Sequence, residues 1–304
     1  MPDLTIESVS KHYGSVAAVQ RASFEARSGR ILGLLGPNGA GKTSAIRMIA
    51  HIIAPDSGQI RFGGRTVGAW SQRRMGYLPE ERGLYKKLKI HEQLEYLARL
   101  KGMSRFDARE RSRHWLKRFD LEKWASKKTQ ELSKGMQQKV QFIATVLPEP
   151  DLVILDEPFS GLDPINAELL RDIIGELKSS GRTILFASHR MEQVEQLCDD
   201  ICLISRGHIL VHGSLRDVKR SFGRDSIILE FDGNTHFLDP FLKQGAIRIT
   251  SRSDRRVELR LLNGAPAMPI LRAAVSTTRE LYRYELVEPS LTEIFISVVE
   301  RQSA

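Results

Sequence analysis

The chain has 304 residues, of which 41% are hydrophobic and 27% are charged. These values are close to those of ordinary globular domains and exclude a disordered, collagen-like or coiled-coil protein. The 46 basic and 37 acidic residues give a formal net charge of +9, which alone permits nucleic acid, an anionic membrane or a nucleotide as a partner.

The length predicts about two domains at roughly 150 residues per domain. No apolar run approaches the ~20 residues of a membrane-spanning helix, and the first residues lack the basic and then apolar order of a secretion signal. We therefore expect a chain that is neither embedded in the membrane nor exported. Cys198 and Cys202 have no second pair to complete a zinc site, so we interpret both as reduced packing residues.

The first 80 residues are predicted to form strands around one helix. Runs that alternate in polarity or are wholly apolar, bounded by turn residues, indicate strands. The predicted strands are 4–8, 19–26, 31–36, 58–64 and 74–80, and the predicted helix is 43–53.

The middle of the chain is first helical and then alternates between strands and helices. Residues 71–139 contain 19 basic and 9 acidic residues, so the whole positive excess lies there, and the pattern is helical from 90 to 128. A further helix is predicted from Lys134 towards Leu147, where prolines end it. Near-continuous apolar strands between amphipathic helices then predict an α/β core with a parallel sheet covered on both faces. The strands are 151–158, 183–189 and 201–205, and the helices are 166–181 and 191–199.

The end of the chain, residues 225–304, has a different pattern. Its order of strand, short helix, two strands, helix, strand and final helix contains the split βαβ arrangement. We therefore expect a small α+β domain. The strands are predicted at 226–233, 246–250, 257–262 and 281–288, and the helices at 237–244, 266–275 and 291–301.

A glycine-rich loop between the third strand and the first helix matches the phosphate-loop pattern G-x-x-x-x-G-K-[ST]. Its glycines let backbone N–H groups point at phosphate oxygens, beside the positive end of the following helix. We expect Lys42 to reach the β and γ phosphates of a nucleotide and the Thr43 hydroxyl to hold Mg²⁺. The candidate nucleotide-binding residues of the loop are Gly36, Pro37, Asn38, Gly39, Ala40, Gly41, Lys42, Thr43 and Ser44.

Two adjacent carboxylates end the strand DLVILDEP, at the edge of the sheet where open α/β sheets bind ligands. We expect Asp156 to bind Mg²⁺, and Glu157 to polarise the water that attacks the γ phosphate. Together with the phosphate loop, this pair predicts hydrolysis of a nucleoside triphosphate.

The order of the motifs resembles that of ATP-binding cassette (ABC) proteins over roughly residues 4–215. It comprises the phosphate loop, ELSKGMQQK at 131–139, DLVILDEP, SGLD at 160–163, and a serine followed by His189. The resemblance implies a P-loop NTPase (ABC ATPase) core at 1–220 with a helical subdomain at about 90–140, followed by the α+β accessory domain.

The resemblance also implies roles for residues outside the loop. In this family two copies enclose two ATP molecules head to tail, and the signature segment of one copy closes over ATP held by the other. The signature residues here are Ser133, Lys134, Gly135 and Met136. By the same resemblance, Asp163 crosses the dimer interface, His189 acts with Glu157 in catalysis by bracing the γ phosphate, and the Tyr13 ring packs against adenine.

Two motifs depart from the commonest pattern of the family. Glu80 stands where most members have glutamine; its carboxylate binds Mg²⁺ more strongly but repels the γ phosphate. Lys134 and Met136 replace a glycine and a glutamine in the signature. The segment YLPEERGLY around Glu80 resembles an export-type branch that includes sodium-efflux systems, so we interpret Glu80 as a feature of that branch and expect an active ATPase.

The resulting prediction is the ATP-hydrolysing subunit of an exporter. We expect a homodimer that is peripheral on the cytoplasmic face of the cell membrane, beneath a separate membrane-spanning permease, with ATP and Mg²⁺ bound and nucleic acid not a partner. We interpret the basic helical segment either as a surface that binds acidic lipid or as a helix face exposed to solvent. Alternatives are a soluble ABC ATPase that acts on ribosomes or DNA and a nucleotide-binding regulator without turnover, although the latter predicts loss of the catalytic carboxylate or histidine.

Overall fold

The structure is a computed structural model that describes residues 3–81, 83–223 and 225–303, with the backbone alone described for 301–303. Its contacts divide the chain into two compact units, Met1–Leu215 and Arg216–Ala304.

The first unit contains two sheets within the described residues. One has six strands in the order β10-β9-β3-β8-β7-β6, and the other has four strands in the order β2-β1-β4-β5. The strands are β1 Leu4–Tyr13, β2 Val16–Ala26, β3 Ile31–Leu35, β4 Ser57–Phe62, β5 Arg65–Thr66, β6 Met75–Leu78, β7 Leu152–Asp156, β8 Thr183–Ser188, β9 Asp200–Ser205 and β10 His208–Ser214.

The parallel sheet is confirmed for five of its six strands. Strands β9, β3, β8, β7 and β6 are mutually parallel, and β3, β7 and β8 are buried along their whole length. This burial on both faces explains their continuous apolar sequence. Strand β10, which the sequence pattern did not predict, adds to the edge in the antiparallel direction.

The first strands form a sheet of their own. Strand β1 pairs in antiparallel fashion with β2 on one side and with β4 on the other. Left-handed backbone at Ser8 and Arg21 accompanies register shifts in the β1–β2 pair, and these bulges interrupt the alternation that marks a strand. Both strands are therefore longer than predicted.

Some helices of the first unit pack on the sheets, and others pack on neighbouring helices. One apolar cluster contains residues of both sheets and of α1, including the fully buried Ile46. The helices are α1 Lys42–Ile49, α2 Ala69–Gln72, α3 Ile90–Leu100, α4 Arg105–Arg118, α5 Lys134–Val146, α6 Pro164–Ser179, α7 Met191–Leu197 and α8 Leu215–Ser221, which continues past the division between the units.

The described residues of the second unit form one antiparallel sheet of four strands in the order β12-β13-β11-β14. Strands β11 and β12 are both antiparallel to β13, which lies between them, so the predicted split βαβ arrangement is confirmed. A separate apolar cluster that includes Leu229, Leu259 and Ile270 forms its core. The elements are β11 Ser226–Asp232, α9 Asp239–Lys243, β12 Ile247–Arg252, β13 Arg256–Leu261, α10 Met268–Thr277, β14 Glu280–Val287 and α11 Leu291–Ser303.

Candidate nucleotide-binding site

The phosphate loop connects β3 to α1, and its glycines are there for two different reasons. Gly39 and Gly41 have φ angles of +77° and +111°, which favour glycine. A Cβ atom on Gly36 would lie 2.1 Å from the carbonyl oxygen of Ile204, and one on Gly41 would lie 2.3 Å from that of Ala18. The loop can therefore lie against the neighbouring backbone only with glycine at both positions.

Lys42 begins α1 and points back across the loop. Its Nζ donates hydrogen bonds to the carbonyl oxygens of Gly36 at 2.6 Å and Pro37 at 3.1 Å. Burial lowers the pKa of Lys42, and the nearby carboxylates, Glu157 foremost, oppose that shift. The side chain thus places a cation among backbone groups that are arranged to surround phosphate.

One cavity brings most of the candidate residues together. The phosphate loop from Asn38 to Ser44 lines it, opposite the carboxylates of Glu80, Asp156 and Glu157. Ala18 of β2 also lines this cavity, and the sequence did not predict it. As an alanine inside a strand, it carries no sequence signal of its own.

Asp156 fits a cation. It ends β7 with 2% of its surface exposed, and its Oδ2 atom has no hydrogen-bond partner among the described residues. Burial, and then the charges of Glu80 and Glu157, raise the pKa of Asp156 to about 6. An unpartnered buried carboxylate, a second carboxylate on Glu80 and the Thr43 hydroxyl supply the hard oxygen ligands that Mg²⁺ prefers.

Glu157 has a left-handed backbone, with φ at 48°, which is rare for a residue other than glycine. Its Oε1 atom accepts hydrogen bonds from the backbone N–H and the ring Nδ1 of His189, both at 2.7 Å. Its Oε2 atom accepts one from the Ser188 hydroxyl at 3.1 Å. Because β7 and β8 are parallel neighbours in the sheet, their carboxyl-terminal ends lie side by side and bring these groups together.

The signature residues lie at the start of α5. The Ser133 hydroxyl caps this helix and accepts a hydrogen bond from the Met136 N–H at 3.3 Å. A Cβ atom on Gly135 would lie 3.0 Å from the Gly161 carbonyl oxygen. Lys134 lines a second cavity, to which Glu80 also contributes. None of the described residues that line the phosphate-loop cavity belongs to the signature.

Asp163 and Tyr13 also lie outside the phosphate-loop cavity. Asp163 caps α6 and accepts hydrogen bonds from the Asn166 N–H at 2.9 Å and from its side-chain amide; these bonds lower the pKa of Asp163. Tyr13 ends β1 with 47% of its surface exposed, and the Lys11 ammonium lies 5.9 Å from the centre of its ring.

The two cysteines are free and buried, as predicted. No helix in the described ranges combines the length and the apolar composition needed to cross a membrane.

Comparison with known proteins agrees with this geometry. Residues 19–160 match the family model described as ABC transporter. Residues 213–299 match the model of the C-terminal domain of DrrA1-3-like ATP-binding proteins.

Similar proteins cover nearly the whole chain. The ABC transporter ATP-binding protein YhaQ of Bacillus subtilis is 44% identical over 97% of this chain and 98% of its own length. The linearmycin resistance ATP-binding protein LnrL of the same organism is 31% identical over 98% of both chains. A solved structure of an ATP-binding subunit of an ABC transporter is 33% identical, with a TM-score of 0.69, and the match covers 72% of this chain and 93% of that one.

The phosphate loop, the paired carboxylates at the end of β7 and the relatives matched over the full length lead to one assignment. This chain belongs to the ABC transporter family as an ATP-binding subunit, in which hydrolysis of ATP is coupled to transport.

Proposed function

We propose that two copies of this chain enclose two ATP molecules and drive an exporter whose pore is a separate permease. One observation carries the proposal: the phosphate loop, Asp156 and Glu157 line a single cavity, while the signature beginning at Ser133 lies outside it. A second copy can supply that signature. We assign the ATPase to residues 1–220, with a helical subdomain at about 90–140, and an accessory domain to residues 225–304.

The loop binds the phosphates of ATP. Backbone N–H groups between Gly36 and Ser44 donate to phosphate oxygens at the positive end of α1, and Lys42 exchanges its carbonyl partners for the β and γ phosphates. Ser44 adds a contact to phosphate. The exposed Tyr13 ring stacks on adenine, which requires no base-specific hydrogen bond.

Three side chains hold the metal ion. Thr43 supplies a hydroxyl, and Asp156 and Glu80 supply carboxylates, with Asp156 acting through water. When bound, Mg²⁺ neutralises charge on the β and γ phosphates. The negative charge of Glu80 strengthens the binding of Mg²⁺. Because the same charge repels ATP, it also makes ATP binding more dependent on Mg²⁺.

Glu157 accepts the proton of the attacking water. Its hydrogen bonds from His189 and Ser188 hold the carboxylate in one orientation at the cavity. With Nδ1–H directed at Glu157, the Nε2 atom of His189 donates to a phosphoryl oxygen only when the ring carries both protons. In the dimer, Ser133 and Gly135 contact the partner's ATP, Lys134 and Met136 flank them, and Asp163 crosses the interface.

The helical subdomain meets the permease. Tyr85 and Tyr96 form an exposed aromatic pair with ring centres 6.2 Å apart, and Phe106 is 74% exposed nearby along the chain. Exposed aromatic side chains of this kind are typical of an interaction site. Export is favoured by the YLPEERGLY segment and by the similarity to LnrL, a protein named for resistance to linearmycin. We therefore propose that the subunit lies on the cytoplasmic face of the membrane, beneath the permease.

Phosphate release by the purified chain with Mg²⁺ and ATP tests the enzymatic part, with Lys42→Ala as the inactive control. Affinity purification from detergent-solubilised native membranes tests the assembly. A polytopic membrane protein that co-purifies with the wild type and is lost with Tyr96→Ser supports the proposal. Ribosomes or DNA in place of a membrane protein would favour the soluble ABC ATPase instead.

A further inference from the structure

Helix α5 carries three buried polar side chains on one face. Gln138, Gln141 and Thr145 are spaced by three and then four residues, which places them on the same side of a helix. Each is at least 95% buried. The two glutamines donate hydrogen bonds to backbone carbonyl oxygens outside the helix, whereas the Thr145 hydroxyl lies closest to the Gln141 carbonyl oxygen within it. Buried polar groups need hydrogen-bond partners. The carbonyl partners of the two glutamines belong to residues that are next to Glu157 and Glu80 in the chain.

Gln141 holds the backbone on both sides of Glu80. Its Nε2 atom donates to the carbonyl oxygen of Pro79 at 3.0 Å and to that of Glu81 at 3.1 Å. Glu80 itself has an exposed side chain that reaches the phosphate-loop cavity. A single amide thus holds the peptide group directly before Glu80 and the carbonyl group of the next residue, Glu81.

This arrangement has a free-energy cost. The Oε1 atom of Gln141 is buried without a hydrogen-bond partner in the described parts of the chain, and a desolvated acceptor of this kind opposes folding. The amide therefore does not serve packing alone, because an apolar side chain of the same size would leave no such atom.

The two neighbours on this face make different contacts. Gln138 donates to the Pro158 carbonyl oxygen at 3.0 Å, directly after Glu157. The Thr145 hydroxyl lies 2.9 Å from the Gln141 carbonyl oxygen of its own helix and 3.4 Å from the Tyr77 carbonyl oxygen of β6. Thr145 thus bonds mainly within α5, whereas Gln141 fastens the turn that presents Glu80.

We propose that Gln141 is a positioning residue that sets the Glu80 carboxylate at the phosphate-loop cavity and thereby the concentration of magnesium that ATP binding requires. The proposal rests on the proposed function, in which Glu80 is a metal ligand. Groups that orient a metal ligand from behind commonly change metal affinity by about 10- to 100-fold when they are removed.

The test measures how binding of a fluorescent N-methylanthraniloyl ATP depends on Mg²⁺ concentration. The variants are Gln141→Leu, Glu80→Ala and the double variant, and Thr145→Val is the control that removes a buried hydrogen bond from the same face. We expect Gln141→Leu to raise the half-saturating Mg²⁺ concentration by about 10-fold. Affinity for the analogue in EDTA should stay unchanged, and Thr145→Val should leave both quantities near those of the wild type.

The double variant shows whether Gln141 acts through Glu80. If it does, Gln141→Leu has no further effect on the magnesium requirement once Glu80 is alanine. Equal shifts for Gln141→Leu and Thr145→Val, or a full effect of Gln141→Leu in the Glu80→Ala background, would overturn the proposal. Failure of the wild type to bind the analogue at any Mg²⁺ concentration would instead overturn the proposed function as well.

Thermal melting of each variant guards against a general loss of structure. Should Gln141→Leu melt well below Thr145→Val, Gln141→Met replaces it, because an unbranched thioether of similar length adapts to an irregular site. Gln141→Met is then judged by the same two criteria: the shift in half-saturating Mg²⁺ concentration relative to Thr145→Val, and the loss of that shift in the Glu80→Ala background.

Discussion

One oxygen of the Glu157 carboxylate accepts two hydrogen bonds from His189, from the backbone N–H and from the ring Nδ1, each at 2.7 Å. The two residues are 32 positions apart in the chain and meet because β7 and β8 are adjacent parallel strands. The sheet thus joins the Glu157 carboxylate at the phosphate-loop cavity and the His189 ring into one hydrogen-bonded unit.

Glu157→Gln should abolish turnover and keep ATP binding. The amide keeps an oxygen that can accept from His189, but it cannot take a proton from water, and loss of a general base costs about 10²- to 10⁴-fold in rate. Phosphate release and analogue binding measure the two effects. Because Glu157 and His189 act together, adding His189→Ala should lower the rate little further. Unchanged hydrolysis in Glu157→Gln would refute the role of this carboxylate.

Asp156→Asn should stabilise the protein in EDTA without nucleotide. The pKa of Asp156 rises from 3.8 to about 6 on folding, mainly through burial. Between these values the folded state binds more protons than the unfolded state, so the contribution of Asp156 to stability falls as pH rises and remains a penalty above about pH 6. The shift corresponds to at most about 3 kcal/mol.

Melting temperatures of the wild type and Asp156→Asn across pH check this prediction. The variant should melt higher by several degrees at about pH 8, and the difference should shrink towards about pH 5 as Asp156 becomes protonated. A difference that does not depend on pH, or a less stable variant throughout, would contradict the described environment of the carboxylate.

Ser133→Asn should separate ATP binding from hydrolysis. Asparagine still caps α5, so the fold should persist, but its larger side chain obstructs contact with the nucleotide of a second copy. We expect analogue binding close to that of the wild type and little hydrolysis, because Ser133 lies outside the phosphate-loop cavity of its own chain. A loss of binding as severe as that of Lys42→Ala would contradict this prediction, because it would show that Ser133 contributes to the nucleotide site of its own chain.

Tyr13→Ala should weaken ATP binding by about 10-fold, since stacking of a base on an aromatic ring contributes about 1–3 kcal/mol. Tyr13→Phe keeps the ring and should bind like the wild type, and GTP should show the same pattern. Tyr282→Ala, at a position 55% exposed in the second unit, controls for loss of a surface tyrosine. Equal affinities for Tyr13→Ala and the wild type would remove Tyr13 from the site.

The sequence alone predicts the features that depend on residues adjacent in the chain. Strands β3, β7 and β8 are short, buried and mostly apolar, so composition alone marks them. The phosphate loop and the Asp156–Glu157 pair are local patterns whose chemistry follows from their order, and the structure places them at one cavity.

Features that depend on distant pairing could not be predicted in this way. Nothing in the sequence of β1 or β2 shows that β1 pairs with β2 and β4 rather than joining the parallel sheet. The contact of Gln141 with the carbonyl of Pro79 joins residues 62 positions apart, and a glutamine in a helix is usually a surface residue. Its position between apolar residues, in KVQFIATV, is the one local sign that it is buried.

The mass of Glu157→Gln in solution, measured by light scattering with and without Mg²⁺ and ATP, tests most directly whether two copies of this chain enclose ATP. The account predicts one chain without nucleotide and two chains with ATP bound, and it predicts that Ser133→Asn in the same background stays a single chain although it binds ATP. A single-chain mass for Glu157→Gln saturated with ATP would contradict it.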